Sequence, residues 1–280
     1  MDSSEAERMR GERLRVAVGG FGAIGKPVVR ALHEGIDGLE LTAVSARDTG
    51  RAETWMTREL GRAYPAMPLA RLGEVADVVV ECAPPQLLGE LARPVLEAGK
   101  VVVALSVGAL LSNPDLVPLA ARTGGRILVP SGALLGLDAV QAAAQGEIES
   151  VTIVTRKPPE SLRGAPAIEA MGLDLDTLRE PVRCFAGPAS EAISSFPANL
   201  NVAVALGLAG FGTERTMLEV WADPGVSRNT HRISVTSDSS NFTMQIEGIP
   251  IEENPRTGRL TPLSVISTLK RLTAPLVIGA

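Results

Sequence analysis

The chain has 280 residues, 45% of them hydrophobic and 21% charged, the balance of a globular protein with one large or two ordinary domains. Its formal net charge of −5 offers no basic excess to neutralise phosphates, which argues against nucleic-acid binding. Aromatic residues at 3% exclude stacking platforms and aromatic membrane belts, while two Cys and two His leave too little for a disulfide scaffold or a metal site.

The opening stretch Met1–Arg13 is charged and lacks the apolar core of a signal peptide. The longest uncharged apolar runs, Val101–Leu111 and Val202–Gly212, fall short of the roughly 18 residues a bilayer span requires. A cytoplasmic protein with no membrane partner is expected. Leu14–Gly19 reads as a strand, and Ala23–Gly35 as a helix with Ile24, Val28 and Leu32 at helical spacing. Strands follow at Leu39–Ala46, within Val75–Cys82, at Val101–Leu105 and at Arg126–Val129, with helices at Pro85–Ala98 and Pro114–Thr123 between them. That alternation implies βαβ units and a parallel sheet, since each return crossover needs a helix.

Near Pro130 the rhythm changes. A helix at Leu134–Ala144 precedes a β-branched run, Val151–Thr155, and a further helix is expected over Pro197–Ala209. Strands at Thr216–Ala222, Arg232–Thr236 and Phe242–Glu247 show period-2 alternation, the pattern of an antiparallel sheet with one covered face. Thr261–Leu272 is a closing helix. The expected fold is a Rossmann-type doubly wound parallel sheet over residues 1–131, then an α+β substrate and dimerisation domain with a mostly antiparallel sheet over 132–258. Residues 259–280 form a helix returning to the first domain.

Gly20-Phe21-Gly22-Ala23-Ile24-Gly25 spells G-x-G-x-x-G directly after the first strand and at the head of the first helix. Gly20 permits the tight turn, Gly22 lets a pyrophosphate approach the backbone, and Gly25 lets helix and strand pack closely. A purely structural turn shares the spelling, but the strand-to-helix setting favours a dinucleotide. No acid stands at the end of the second strand, where NAD-preferring sites place one for the ribose 2′-hydroxyl. Ser45 and Arg47 there are donors suited to a 2′-phosphate, which favours NADP(H) or dual use, although Arg47 as a plain loop charge reads the same. Ala83 and Pro84 end the third strand with small residues past which a cofactor can run. Ser131-Gly132-Ala133 marks the domain junction, and Asn199 and Asn201 bring amides into an apolar helix start. Of the two imidazoles, His33 lies on the first helix beside Glu34. His231 stands between turn chemistry and a strand and is the candidate for proton transfer.

Taken in order, Gly20–Gly25, Ser131-Gly132-Ala133 with Gly136-Leu137-Asp138, Thr155-Arg156-Lys157-Pro158, Phe196–Ala203, Ala222-Asp223-Pro224, Asn229-Thr230-His231 and Asn254-Pro255 resemble the L-aspartate dehydrogenase family. The resemblance runs from about residue 15 to 270. It implies oxidation of L-aspartate to iminoaspartate, hydrolysis to oxaloacetate and ammonia, and a homodimer. It also implies cofactor contacts at Ala133 and Asn201 and catalysis by His231. An imidazole titrating near ~6.5 can deprotonate the amine and activate the water that attacks the imine. Asn229, two residues before His231 on an extended segment, would share its face, there to bind substrate or orient the imidazole. Arg156 and Lys157 suit substrate carboxylates, or an interdomain or subunit salt bridge. Gly258 stands where the family pattern suggests a small hydroxyl residue, and Ser237–Phe242 lacks an expected glycine. Both departures bear on the substrate. A dehydrogenase or imine reductase for another small amino or oxo acid is one alternative; a non-catalytic NADP(H)-binding sensor is the other.

Overall fold

The structure, a computed structural model, describes residues 13–196, 201–252 and 254–279. These form two units: one runs to Pro130 and resumes over Pro262–Ile278, the other spans Ser131–Thr261.

In the first unit β1 (Leu14–Gly19), β2 (Leu39–Ser45), β3 (Val78–Glu81), β4 (Val101–Ala104) and β5 (Arg126–Leu128) form one parallel sheet in the order β2-β1-β3-β4-β5. The central strands β1, β3 and β4 are short, apolar and largely buried on both faces, as parallel strands under helices must be, while β5 at the edge exposes Arg126. Val16, Val18, Val78, Val80 and Val103 face one side, packed with Val28, Val29 and Leu32 of α1 (Gly25–Glu34) and Ala52 and Met56 of α2 (Thr49–Leu60). The alternate residues Ala17, Val79 and Val102 are fully buried too, on the side where Gly19 faces Leu91 of α3 (Leu88–Glu97). Helix α4 (Leu116–Thr123) completes the alternation before β5. Helices Pro85–Ala98 and Pro114–Thr123 were expected longer; each starts late because its proline-led first turn is 3-10 or irregular.

In the second unit β6 (Ile148–Lys157), β7 (Val182–Pro188), β8 (Thr216–Ala222), β9 (Thr230–Ser237) and β10 (Asn241–Glu247) form a sheet ordered β10-β9-β6-β8-β7. Every pair is antiparallel except β6–β8. Its covered face is apolar in successive rows: Val235, Val151 and Thr216, then Ile233, Ile153 and Leu218. Helices α5 (Leu137–Ala143) and α6 (Asn201–Leu206) bury Val140, Ala143 and Ala203–Leu206. The helix expected over Pro197–Ala209 is described only from Asn201, and it continues as a π-type turn over Gly207–Phe211. Gly210, where a Cβ would stand 2.4 Å from that of Ala144, marks that kink. A small hairpin pairs β11 (Pro250–Ile251) with β12 (Asn254–Gly258). Among the described residues no helix is long and apolar enough to cross a membrane, and no group of His, Cys, Asp or Glu is placed to hold a metal.

Candidate active site

The strand order of the first sheet reverses direction between β1 and β3, the topological switch point at which open α/β sheets bind ligands beyond their carboxyl ends. The glycine loop leaves β1 at that point. Gly20 has φ +112°, and a Cβ there would stand 2.3 Å from the Cys82 carbonyl oxygen. A Cβ on Gly25 would stand 2.0 Å from the Gly20 carbonyl oxygen. Gly22 is different: a Cβ there meets nothing within 4 Å. Two glycines are thus demanded by packing, while the one between them faces open space at the head of α1. That is the fit a dinucleotide pyrophosphate requires. Ser45 closes the same edge, its carbonyl accepting from the Gly20 N–H at 3.0 Å, and Ala83 and Pro84 follow Cys82, whose N–H donates to the Gly19 carbonyl at 2.7 Å. Phe21 meets the Trp55 ring edge-on at 5.3 Å, and Lys26 and Arg30 lie over that ring at 5.8 and 5.4 Å. Ala23 and Ile24 are half-buried in the turn.

Past β2, Asp48 is the N-cap of α2, its carboxylate accepting from the Arg51 N–H at 2.9 Å. That engagement leaves Arg47, exposed and without an ion pair among the described residues, as the charged group at the strand end. Glu81, which closes β3, is fully buried and accepts from the Leu105 N–H at 3.0 Å, the Ser106 N–H at 2.8 Å and the Ser106 hydroxyl at 3.0 Å. Burial lifts its carboxyl above the usual range, and these hydrogen bonds partly offset the lift. It ties the carboxyl ends of β3 and β4 together. Burial likewise pushes the Cys82 thiol well up, with the Glu81 charge adding to it, so this cysteine is not an activated nucleophile.

In the second unit the central row of the covered face, Ile153, Ile233 and Leu218, gives way at one end to Thr155, Lys157 and His231. Thr155 on β6 stands opposite His231 on β9, and its Oγ1 lies 3.0 Å from the imidazole Nδ1. Both side chains are buried, and so is Lys157, two residues further along the same face. Asn229 precedes β9, its carbonyl accepting from the Gly248 N–H at 2.8 Å. Its side-chain Oδ1 is, among the described residues, the one fully enclosed side-chain polar atom without a hydrogen-bond partner. An orphaned buried acceptor is costly unless a ligand supplies the donor. The hydrogen bond to the imidazole Nδ1 comes from Thr155. Period-2 alternation sends Arg156 to the opposite face, where it pairs with Asp223 at 2.8 Å and lies over Trp221 at 5.0 Å. The salt bridge expected across domains or subunits is therefore made within one unit. His33 bonds the Tyr64 hydroxyl through Nδ1 at 2.9 Å, on the far end of α1. Ala133 lies in a turn closed by the Leu134 N–H to the Ser131 carbonyl, with Gly132 left-handed, and Asn201 starts α6 with an exposed side chain. Asn199 falls outside the described residues.

His231 departs from the ordinary imidazole range. Burial, with the Lys157 ammonium second, pushes its pKa from 6.5 down to about 3. The imidazole is neutral throughout the physiological range. Between about 3 and 6.5 the unfolded chain binds the extra proton, so stability is lost as the pH falls through that window. At pH 5 the loss is about 2 kcal/mol. Urea unfolding at pH 7 and pH 5 should show that His231→Gln loses about 2 kcal/mol less than wild type over this interval. Parallel losses in the two proteins would mean His231 is not held neutral.

The carboxy-terminal part, residues 138–272, matches the family model described as aspartate dehydrogenase, C-terminal. Residues 20–130 match the NAD-binding domain of homoserine dehydrogenase. The chain is 53% identical to an L-aspartate dehydrogenase of Bradyrhizobium diazoefficiens, over 95% of this chain and 94% of that one. It is 54% identical to L-aspartate dehydrogenase 3 of Bordetella bronchiseptica, over 96% and 98% respectively. Among solved structures, aspartate dehydrogenase from Thermotoga maritima superposes with a TM-score of 0.72 at 25% identity, over 96% of this chain and all of that one.

Proposed function

The chain belongs to the L-aspartate dehydrogenase family, and we propose that it catalyses the reversible NAD(P)-dependent oxidative deamination of L-aspartate to oxaloacetate and ammonia through iminoaspartate. The observation that carries this reading is the polar end of the second sheet, where a neutral imidazole and a buried ammonium stand together, with the unpartnered Asn229 amide oxygen two residues before the imidazole in sequence. A cofactor held at Gly20–Gly25, Ser45, Ala83 and Pro84, with Ala133 and Asn201 contributing, supplies the two-electron hydride acceptor. Lys157 matches a substrate carboxylate, and Asn229 Oδ1 accepts from the substrate amine. Hydride leaves Cα only from an unprotonated amine, and a neutral His231 can take that proton. After releasing that proton to solvent, it takes one from the water whose oxygen bonds the imine carbon, and returns it to the departing nitrogen as ammonia leaves. A dicarboxylate beside Lys157 also offsets the positive field that depresses the imidazole pKa, so substrate binding prepares the base.

A panel of small amino acids, followed by absorbance of reduced cofactor, tests this. Turnover is expected with L-aspartate foremost. Preference for another amino acid would assign the altered 237–242 and 254–259 loops to a different substrate, and no turnover at all would leave a cofactor sensor. In the same assay Arg47→Ala should raise the KM for NADP about tenfold or more and that for NAD less than twofold, because only the 2′-phosphate offers a charge-assisted bond. Equal effects on both would remove Arg47 from the 2′-phosphate site. We expect a homodimer formed by the second unit. The outer sheet face, with Met217 43% exposed on the same side of β8 as Trp221, supports it and sedimentation can test it.

A further inference from the structure

We propose that Thr155 is a positioning residue for proton transfer: its hydroxyl holds Nδ1 of His231 in either protonation state and thereby reserves Nε2 for exchange with substrate and water. The proposal rests on the reading of His231 as the acid/base.

The pair is cross-strand. Thr155 and His231 are direct partners in the β6–β9 ladder, 76 residues apart in sequence, with Oγ1 and Nδ1 at 3.0 Å. Thr155 is 2% exposed and His231 4%, so the bond is shielded from water, and a β-branched side chain has little rotamer freedom to lose it. The adjoining row, Ile153 with Ile233, is fully buried and closes the apolar side. Nε2 makes no hydrogen bond among the described residues and is not fully enclosed, unlike the orphaned Asn229 oxygen.

A hydroxyl can both donate and accept, which sets it apart from the carboxylate that often orients a catalytic imidazole. With Nδ1 carrying hydrogen, Oγ1 accepts, and Nε2 presents a lone pair. When Nε2 takes a proton from the attacking water, the oxygen bonds the imine carbon and Nδ1–H keeps its bond to Oγ1. When the neutral ring instead carries hydrogen on Nε2, the hydroxyl rotates and donates to Nδ1. No state strands Nδ1, and no fixed negative charge biases the ring toward imidazolium, as a carboxylate would. A group that must run deamination and its reverse gains from that indifference. Lys157, two residues along β6, is the charge that acts on the ring from the neighbouring strand.

The test compares Thr155→Val and Thr155→Ser in the full-length protein. Thr155→Val should lower kcat in both directions about tenfold or more, with KM for L-aspartate changed less than threefold; Thr155→Ser should keep at least a third of wild-type kcat. With only two imidazoles in the chain, nitrogen NMR on a His33→Gln background isolates His231. Adding succinate, an unreactive dicarboxylate, should move the Nε2 resonance, whereas Thr155→Val should move Nδ1. Should Thr155→Val not fold, Thr155→Ala against Thr155→Ser, which differ by the hydroxyl alone, carries the comparison. Unchanged kcat in Thr155→Val, equal losses in Ala and Ser, or a succinate response at Nδ1 would each overturn the proposal. Full activity in His231→Ala would instead overturn the reading beneath it.

Discussion

His231→Ala is expected to lower kcat by about 10²- to 10⁴-fold in both directions while leaving cofactor affinity within twofold of wild type. Among the described residues of the polar end, the imidazole is the group that can both take and return a proton, because the Asn229 amide and the Thr155 hydroxyl do not titrate in this range. Removing a buried ring also leaves a cavity, so the measurement needs a companion: melting should confirm a cooperative fold, and stopped-flow with pre-bound cofactor should place the loss after substrate binding. Solvent deuterium should slow wild type and leave the residual rate of the variant less affected. A variant with wild-type kcat would sink the acid/base role without touching the enzyme class.

Two single-residue changes in the glycine loop are expected to separate folding from cofactor binding. Gly25→Val places a Cβ 2.0 Å from the Gly20 carbonyl oxygen, a clash that only a shift of the loop can relieve, and should cost about 3 kcal/mol or more of stability. A Cβ at Gly22 meets no neighbour within 4 Å, and the stability of Gly22→Val in the absence of cofactor should stay within about 0.5 kcal/mol of wild type. Yet Gly22→Val should weaken nicotinamide-cofactor binding more than tenfold by calorimetric titration, since its side chain fills the space a pyrophosphate needs. If Gly22→Val binds cofactor normally, the loop is a structural turn and the pyrophosphate lies elsewhere.

Much of the first unit could be read from local pattern. Apolar runs of four to seven residues, each followed by a turn and a helix-spaced stretch, encode parallel strands with little ambiguity, and the loop glycines fall where packing demands them. Helix α2 escaped that reading because it is polar on most sides, burying chiefly Ala52 and Met56, with Asp48 capping its start. β7 escaped because a strand written Val-Arg-Cys-Phe-Ala-Gly-Pro has neither alternation nor strong β-propensity, and its place at the sheet edge comes from β8. In the site, Asn229 and His231 declared themselves as polar residues at a strand start. Thr155 did not: a threonine closing a β-branched run looks like strand filler, and only a pairing across 76 residues gives its hydroxyl a partner. Lys157 was half legible, since alternation along β6 alone parts it from Arg156. What no local pattern carries is the depth of His231, and with it the lowered pKa that changes when the imidazole can act.

Helix α7 (Leu260–Arg271) belongs to the first unit, where Val265 and Leu269 are fully buried against β1, β2 and α1 residues. The Thr273 hydroxyl donates to the Asp37 carbonyl at 2.6 Å, fastening the end of the chain to the α1–β2 turn. During synthesis, then, the first unit waits for residues 262–278, while the second unit, contiguous from Ser131 to Thr261, can be finished first. A nonsense or frameshift lesion near residue 260 would strip two buried side chains, worth about 3–6 kcal/mol, from a core whose other part ends at Pro130. The two stretches of the first unit are therefore held to a common fate by one dozen-residue helix.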